Sequence, residues 1–161
     1  MAYKIDEIDA QIIWLLQEDG RRTNVDISRK LGVSEATVRK RLDRLLSEGI
    51  IRVVGMVAPA QVGLPKEVVI SLQVELTRLN EVAAKLSRMP EVRSLRYTTG
   101  DYDIMLIALF PSDEALLQFL TQRLAPIAGI KKTVTAHVLE AIKREEEWRL
   151  PLKGKSESCS D

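Results

Sequence analysis

Between Leu31 and Leu46 the chain collects side chains suited to recognising a polyanion by hydrogen bonds and charge, rather than to making or breaking covalent bonds. Gly32 permits a sharp turn, Val33 is an apolar plug, and Ser34 can cap a helix by accepting a backbone N–H. In a helix-turn-helix the N-terminal residues of the second helix reach base edges, which makes Ser34, Glu35, Ala36, Thr37 and Lys40 the base-reading candidates. Arg39, Arg41, Arg44 and Arg52 suit phosphates. Arg41 has a second reading, because it flanks the apolar stripe and can tie to Asp9 or another acid inside the domain. The charge is local: from Arg29 to Arg52 seven basic residues face three acidic ones, an excess of +4, whereas residues 56 to 161 hold 14 of each sign and the whole chain is only +1. That concentration is what a phosphate-contacting surface requires.

A second group with possible chemistry is Thr99, Gly100, Asp101, Tyr102 and Asp103. Backbone N–H groups at a glycine turn can receive a carboxylate, and Asp101 or Asp103 can pair with an ammonium group, a combination that fits an α-amino acid. The same residues also suit a plain hairpin turn whose Gly-Asp supplies the backbone angles. Thr133, Thr135 and the sole histidine, His137, alternate along one face of a predicted strand, where they can line a pocket between subunits or face solvent. If the strand starts early, Asp101 and Asp103 point the same way, which raises an acid pair or a metal site. No further acid or histidine lies nearby to complete either, so no catalytic residue, metal or cofactor is assigned.

The only cysteine, Cys159, excludes a disulfide framework and a CxxC metal site. The charged N-terminus has no signal-peptide core, and no apolar run approaches the roughly 18 residues of a membrane span, so a soluble cytoplasmic protein is expected. Aromatic content of 4% within 45% hydrophobic residues predicts an aliphatic core.

Two kinds of periodicity must position these residues. Ile8, Ile12, Leu15 and Leu16 predict a helix from Asp6, itself or its neighbour the cap, to Glu18, ended by Gly20. A short helix follows, capped by Thr23 or Asn24 and running to Leu31, and then the basic helix, with Val38, Leu42 and Leu45 on its packed face and Gly49 at its end. The β-branched stretch from Ile50 to Val57 predicts a strand, giving a winged arrangement. Pro59 to Pro65 break both periodicities and mark a hinge. Beyond it, Val68, Ile70, Leu72, Val74 and Leu76 alternate with polar or smaller residues, and the order becomes strand, helix, strand, strand, helix, strand, a ferredoxin-like βαββαβ unit. The predicted class is therefore α+β. Glu145 to Glu147 predict a solvated face, Trp14 and Trp148 packing or dimer contacts, and the end of the chain a loose polar tail.

These ordered features resemble the Lrp/AsnC family of transcriptional regulators, also called feast/famine regulators. The resemblance rests on Ile8-Asp9 before Ile12-Ile13, on Leu16-Gln17-Glu18-Asp19-Gly20-Arg21, on Leu31-Gly32-Val33-Ser34, on Thr37 to Leu42, on Leu45 through Gly49-Ile50-Ile51, and on Thr99 to Asp103 at the glycine-containing turn between middle strands. It implies a winged helix-turn-helix domain over residues 1–58, hinge strand included, a linker over 59–66, an effector-binding and oligomerisation domain over 67–149, and a tail over 150–161. It further implies double-stranded DNA as partner, a homodimer formed through the sheet and extending in some members to an octamer, and a small effector, typically an amino acid, that shifts assembly or DNA affinity. The expected function is a sequence-specific regulator and not an enzyme. Two alternatives stay open: a sirohaem-decarboxylase-like enzyme on the same two-domain plan, and an effector-sensing assembly protein without specific DNA binding.

Overall fold

The structure is a computed structural model that describes residues 5–143 and 148–151. The chain divides into two compact units, one containing residues up to Met56 together with the segment from Ile142 onward, the other spanning Val57–Ala141.

In the first unit three helices follow one another: α1 (Glu7–Glu18), α2 (Asn24–Leu31) and α3 (Glu35–Ser47). Each start is set by its own side chain. The Asp6 carboxylate accepts from the Asp9 N–H at 2.9 Å, the Thr23 hydroxyl from Asp26 at 3.1 Å, and the Ser34 hydroxyl from Thr37 at 3.1 Å. A cap of this kind contributes about 1 kcal/mol, so the boundaries are written locally. Gly32 ends α2 at φ 66°, a left-handed conformation that a Cβ would strain, and it turns the chain into α3. The core is aliphatic, as expected: Ile12, Ile27, Val38 and Leu45 are fully buried, with Ile13 and Leu15 nearly so and Leu42 packed alongside.

One expectation for this region is corrected. Residues 51–58 form no strand, and among the described residues no hairpin wing follows α3. The N–H groups of Ile50 and Ile51 both donate to the Leu45 carbonyl, which closes α3, and the β-branched residues beyond have no backbone ladder among the described residues. Val53, Val54, Met56 and Val57 consequently stand in the open. Residues 148–151, at the expected junction of the effector region and the tail, lie against the first unit: the Gln17 side-chain amide donates to the Trp148 carbonyl at 3.1 Å, its oxygen accepts from the Leu150 N–H at 3.0 Å, and Leu150 packs on the helical core. One glutamine thus satisfies an extended backbone on both sides, a partnership that helical periodicity does not encode. Trp14 and Trp148 both remain part-exposed. Glu145 to Glu147, Cys159 and the tail beyond residue 151 lie outside the described residues.

The second unit is a four-stranded antiparallel sheet of order β2-β3-β1-β4 with its helices on one face, the expected βαββαβ arrangement. It comprises β1 (Lys66–Val74), α4 (Leu79–Leu86), β2 (Val92–Tyr97), β3 (Ile104–Phe110), α5 (Asp113–Gln118), a widened helical turn over Phe119–Leu124, and β4 (Ile130–His137). The period-two pattern of β1 is realised through Val74, since Val68, Ile70, Leu72 and Val74 are buried while the residues between them are not; Leu76, expected to continue it, lies in the turn after the strand and is exposed. Across the ladder Ile70 meets Leu106 and Leu72 meets Ile104, so both strands turn the same apolar rows toward Val82 and Leu86 of α4 and Leu116 of α5. Phe110 and Phe119 close the core with ring centroids 5.2 Å apart. The opposite face of the sheet, carrying Val69, Ser71, Met105, Ile107 and Val134, has no helix over it among the described residues and is only partly covered.

Candidate nucleic-acid interface

The candidates predicted between Ser34 and Arg44 lie at the entrance of α3 or along it, outside the buried pair Val38 and Leu45, with Arg41 flanking the packed stripe. Ser34, Glu35, Ala36, Arg39, Lys40 and Arg44 are exposed, and Thr37 and Arg41 are half-buried. The Ser34 and Thr37 hydroxyls lie 2.8 Å apart, which fixes both at the helix entrance. Arg39 pairs with Glu35 one turn earlier at 2.7 Å, an exposed contact contributing only a few tenths of a kcal/mol and readily exchanged for a phosphate. Thr37, Lys40, Arg41 and Arg44 line one open cleft of about 350 Å³. Arg52 is exposed in the extended segment after α3.

Behind that cleft lies the one feature left undecided by spacing. Asp9, on α1, is the buried charged residue among those described, with no solvent exposure. Its Oδ1 accepts from Arg41 at 2.8 Å and its Oδ2 from Arg44 at 3.1 Å. Arg41 also donates to Asp6 at 2.5 Å. Arg41 therefore takes the internal role that was one of its two readings, and Arg44 shares it. The consequence runs both ways. The Asp6 carboxyl is held below the usual aspartate range, first by the Asp9 backbone N–H and then by Arg41, while the Arg41 guanidinium is held protonated by its bonds to Asp6 and Asp9. At α2 the Thr23 hydroxyl and backbone likewise lower Asp26. The +4 excess counted along the sequence is thus offset in space by two acids from outside the counted stretch.

The glycine turn of the second unit is built as a closed bend. Gly100 adopts φ 103°, where a side chain would be strained. The Thr98 hydroxyl donates to the Tyr102 carbonyl at 2.7 Å, and the Thr98 N–H to the Asp103 carbonyl at 3.0 Å. Asp103 is partly committed to structure, since its Oδ2 accepts from the Val74 N–H at 2.8 Å beside the irregularity in the β1–β4 pairing. Asp101 is exposed. The strand begins only at Ile104, after both aspartates, and the described residues contain no cluster of three metal-ligating side chains. Thr133 sits opposite Leu72, two strands from Ile104, and Thr135 and His137 follow it along an exposed strand. Lys132, which pattern reasoning passed over, brings its ammonium group 5.7 Å from the centre of the Tyr102 ring.

Comparison with known proteins agrees with this geometry in both halves of the chain. Residues 5–46 match the AsnC-type helix-turn-helix domain, and residues 67–148 the Lrp/AsnC ligand binding domain. An HTH-type transcriptional regulator of Pyrococcus furiosus is 40% identical over 141 residues, 87% of this chain and 95% of that protein. Ptr1, an HTH-type transcriptional regulator of Methanocaldococcus jannaschii, is 31% identical over 86% of this chain and 95% of its own length. Among solved structures, a transcriptional regulator of Neisseria meningitidis in complex with L-Met superposes with a TM-score of 0.85 at 30% identity, covering 93% of this chain and 98% of that one. Escherichia coli AsnC gives 0.83 at 28% identity over 88% and 97%. With two matched domains in the order that the fold displays, the chain belongs to the Lrp/AsnC family of HTH-type transcriptional regulators.

Proposed function

We propose that this chain regulates transcription by laying α3 in the major groove, with Ser34, Glu35, Ala36, Thr37 and Lys40 toward base edges and Arg39, Arg44 and Arg52 toward phosphates. The observation that carries this reading is the two-faced α3: its apolar residues are spent on the helical core, and its polar residues stand in solvent around a basic cleft. Arg41 contributes through the same cleft while tied to Asp6 and Asp9.

A single such module makes few contacts, and two features favour a homodimer. Among the described residues the sheet has one face without a helix, and Val53, Val54, Met56 and Val57 present an exposed apolar segment without a partner strand. A two-fold pair would read two half-sites about one helical turn, roughly 34 Å, apart. The effector is a small molecule, with an amino acid the favoured class, because the Neisseria regulator was solved with L-Met. Its site in this chain is the turn from Thr99 to Asp103 with Thr133, Thr135 and Lys132 at the neighbouring edge. Binding there shifts DNA affinity only by favouring one assembly geometry over another.

Selection of bound fragments from genomic DNA, followed by gel-shift titration with each amino acid, tests both halves. Enrichment of a pseudo-palindromic site supports the regulator reading, and binding indifferent to sequence overturns it. A shift in affinity or assembly with one amino acid supports the effector, whereas no response to any of them removes it.

A further inference from the structure

We propose that Asp9 is a positioning residue for DNA binding: its buried carboxylate holds the guanidinium groups of Arg41 and Arg44 at the cleft beside Lys40, so that both arginines meet a backbone phosphate in a fixed orientation. The proposal rests on the reading of α3 as the DNA-contacting helix.

The geometry has three parts. Asp9 comes from α1, not from the recognition helix, and burial of its charge is sustained by two guanidinium partners, one on each oxygen. Arg41 and Arg44 are three residues apart, and Lys40 and Arg44 four, so the three cations occupy one flank of α3. Both arginines retain contact with the open cleft, the Arg44 side chain being 47% exposed and that of Arg41 24%. A guanidinium has five N–H donors in a rigid fork, which allows one edge to sit on a carboxylate while another addresses a phosphate oxygen. Lysine, a point charge on a flexible stem, cannot divide itself in this way.

Positioning and plain electrostatics predict opposite signs. Asp6 and Asp9 subtract two charges from the three of Lys40, Arg41 and Arg44. If Asp9 were only a countercharge, removing it would strengthen DNA binding and steepen its salt dependence. If it orients the arginines, removing it weakens binding and flattens that dependence. One phosphate contact changes the slope of log K against log salt by about 0.9, equivalent to roughly eightfold in affinity between 0.1 M and 1 M salt.

The test is a salt titration of the full-length wild type, Asp9→Asn and Arg44→Lys on one duplex carrying the selected site, with active fractions fixed by stoichiometric titration and folding followed by circular dichroism. A wild type with no salt-dependent DNA binding would sink the recognition-helix reading itself and with it this inference. Given a normal wild-type slope, Asp9→Asn is expected to lose roughly eightfold or more in affinity with a slope shallower by about 0.9 to 1.8. Unchanged or tighter binding by the folded Asp9→Asn protein overturns the proposal. Should Asp9→Asn not fold, Arg44→Lys decides, because it keeps the charge and the Arg41–Asp9 pair. Loss of roughly eightfold supports positioning, and full retention overturns it.

Discussion

The recognition helix and the glycine turn are both candidate binding surfaces, and they are built in contrasting ways. The α3 surface comes from one continuous stretch whose inner face is anchored in an aliphatic core. The turn draws on three strands: Thr98 at the end of β2, Asp103 pinned to Val74 of β1, and Lys132 of β4 beside Tyr102. A surface carried on one helix is preorganised by local capping and packing. A surface assembled from strands depends on register, and on whatever covers the exposed side of β4. Under the proposed function, DNA contact would be a property of one small unit, and effector sensing a property of the sheet.

The largest effect that can test this division is removal of the helical core. Ile12 is fully buried, and Ile12→Ala is expected to destabilise the first unit by about 2–5 kcal/mol, abolishing DNA binding while the sheet unit keeps its own thermal transition. Calorimetry checks it. A single transition moved as a whole would break the division between the units.

At the turn, Gly100→Ala places a Cβ at φ 103° and is expected to cost about 1–3 kcal/mol. It should reduce the response to the effector while DNA affinity without effector is retained. Gel shifts with and without the effector separate the two. On α3, Lys40→Ala removes an exposed cleft cation and is expected to weaken binding by roughly eightfold in 0.1 M salt, with the salt slope shallower by about 0.9, readable by fluorescence anisotropy.

The smallest effect is the acid dependence of the first unit. Asp6 and Asp26 are held below the ordinary aspartate range, so the stability they contribute is fully present above about pH 4 and is lost as pH falls through their lowered values. Asp6→Asn removes its own share of that loss. Thermal melts between neutral pH and pH 3 should therefore be flatter for the variant.

Much of the fold was legible because short-range rules wrote it. Caps at Ser34 and at Asp6 or its neighbour, the stripe of Val38, Leu42 and Leu45, and the alternation from Val68 to Val74 each need only a few neighbouring residues, and each appears as expected. The stretch from Ile50 to Val57 misled for a stated reason. β-branched residues favour extended backbone, but a strand also needs a ladder, and the described residues supply none. Asp103 suited a ligand-facing carboxylate by spacing, yet one of its oxygens is engaged by Val74, 29 residues away in sequence. Lys132 and the Gln17 clasp on Trp148 and Leu150 left no periodic signal at all.

By itself the sequence determined the order of elements, the two hydrophobic patterns and the cluster of cations from Arg29 to Arg52, because charge, capping and periodicity are local quantities. Only the tertiary structure decided how those cations are spent. It placed the buried carboxylate of Asp9 on a different helix, about thirty residues away, against Arg41 and Arg44. Whether an arginine faces solvent or an internal acid depends on which helix packs behind it, and that is settled when the core closes.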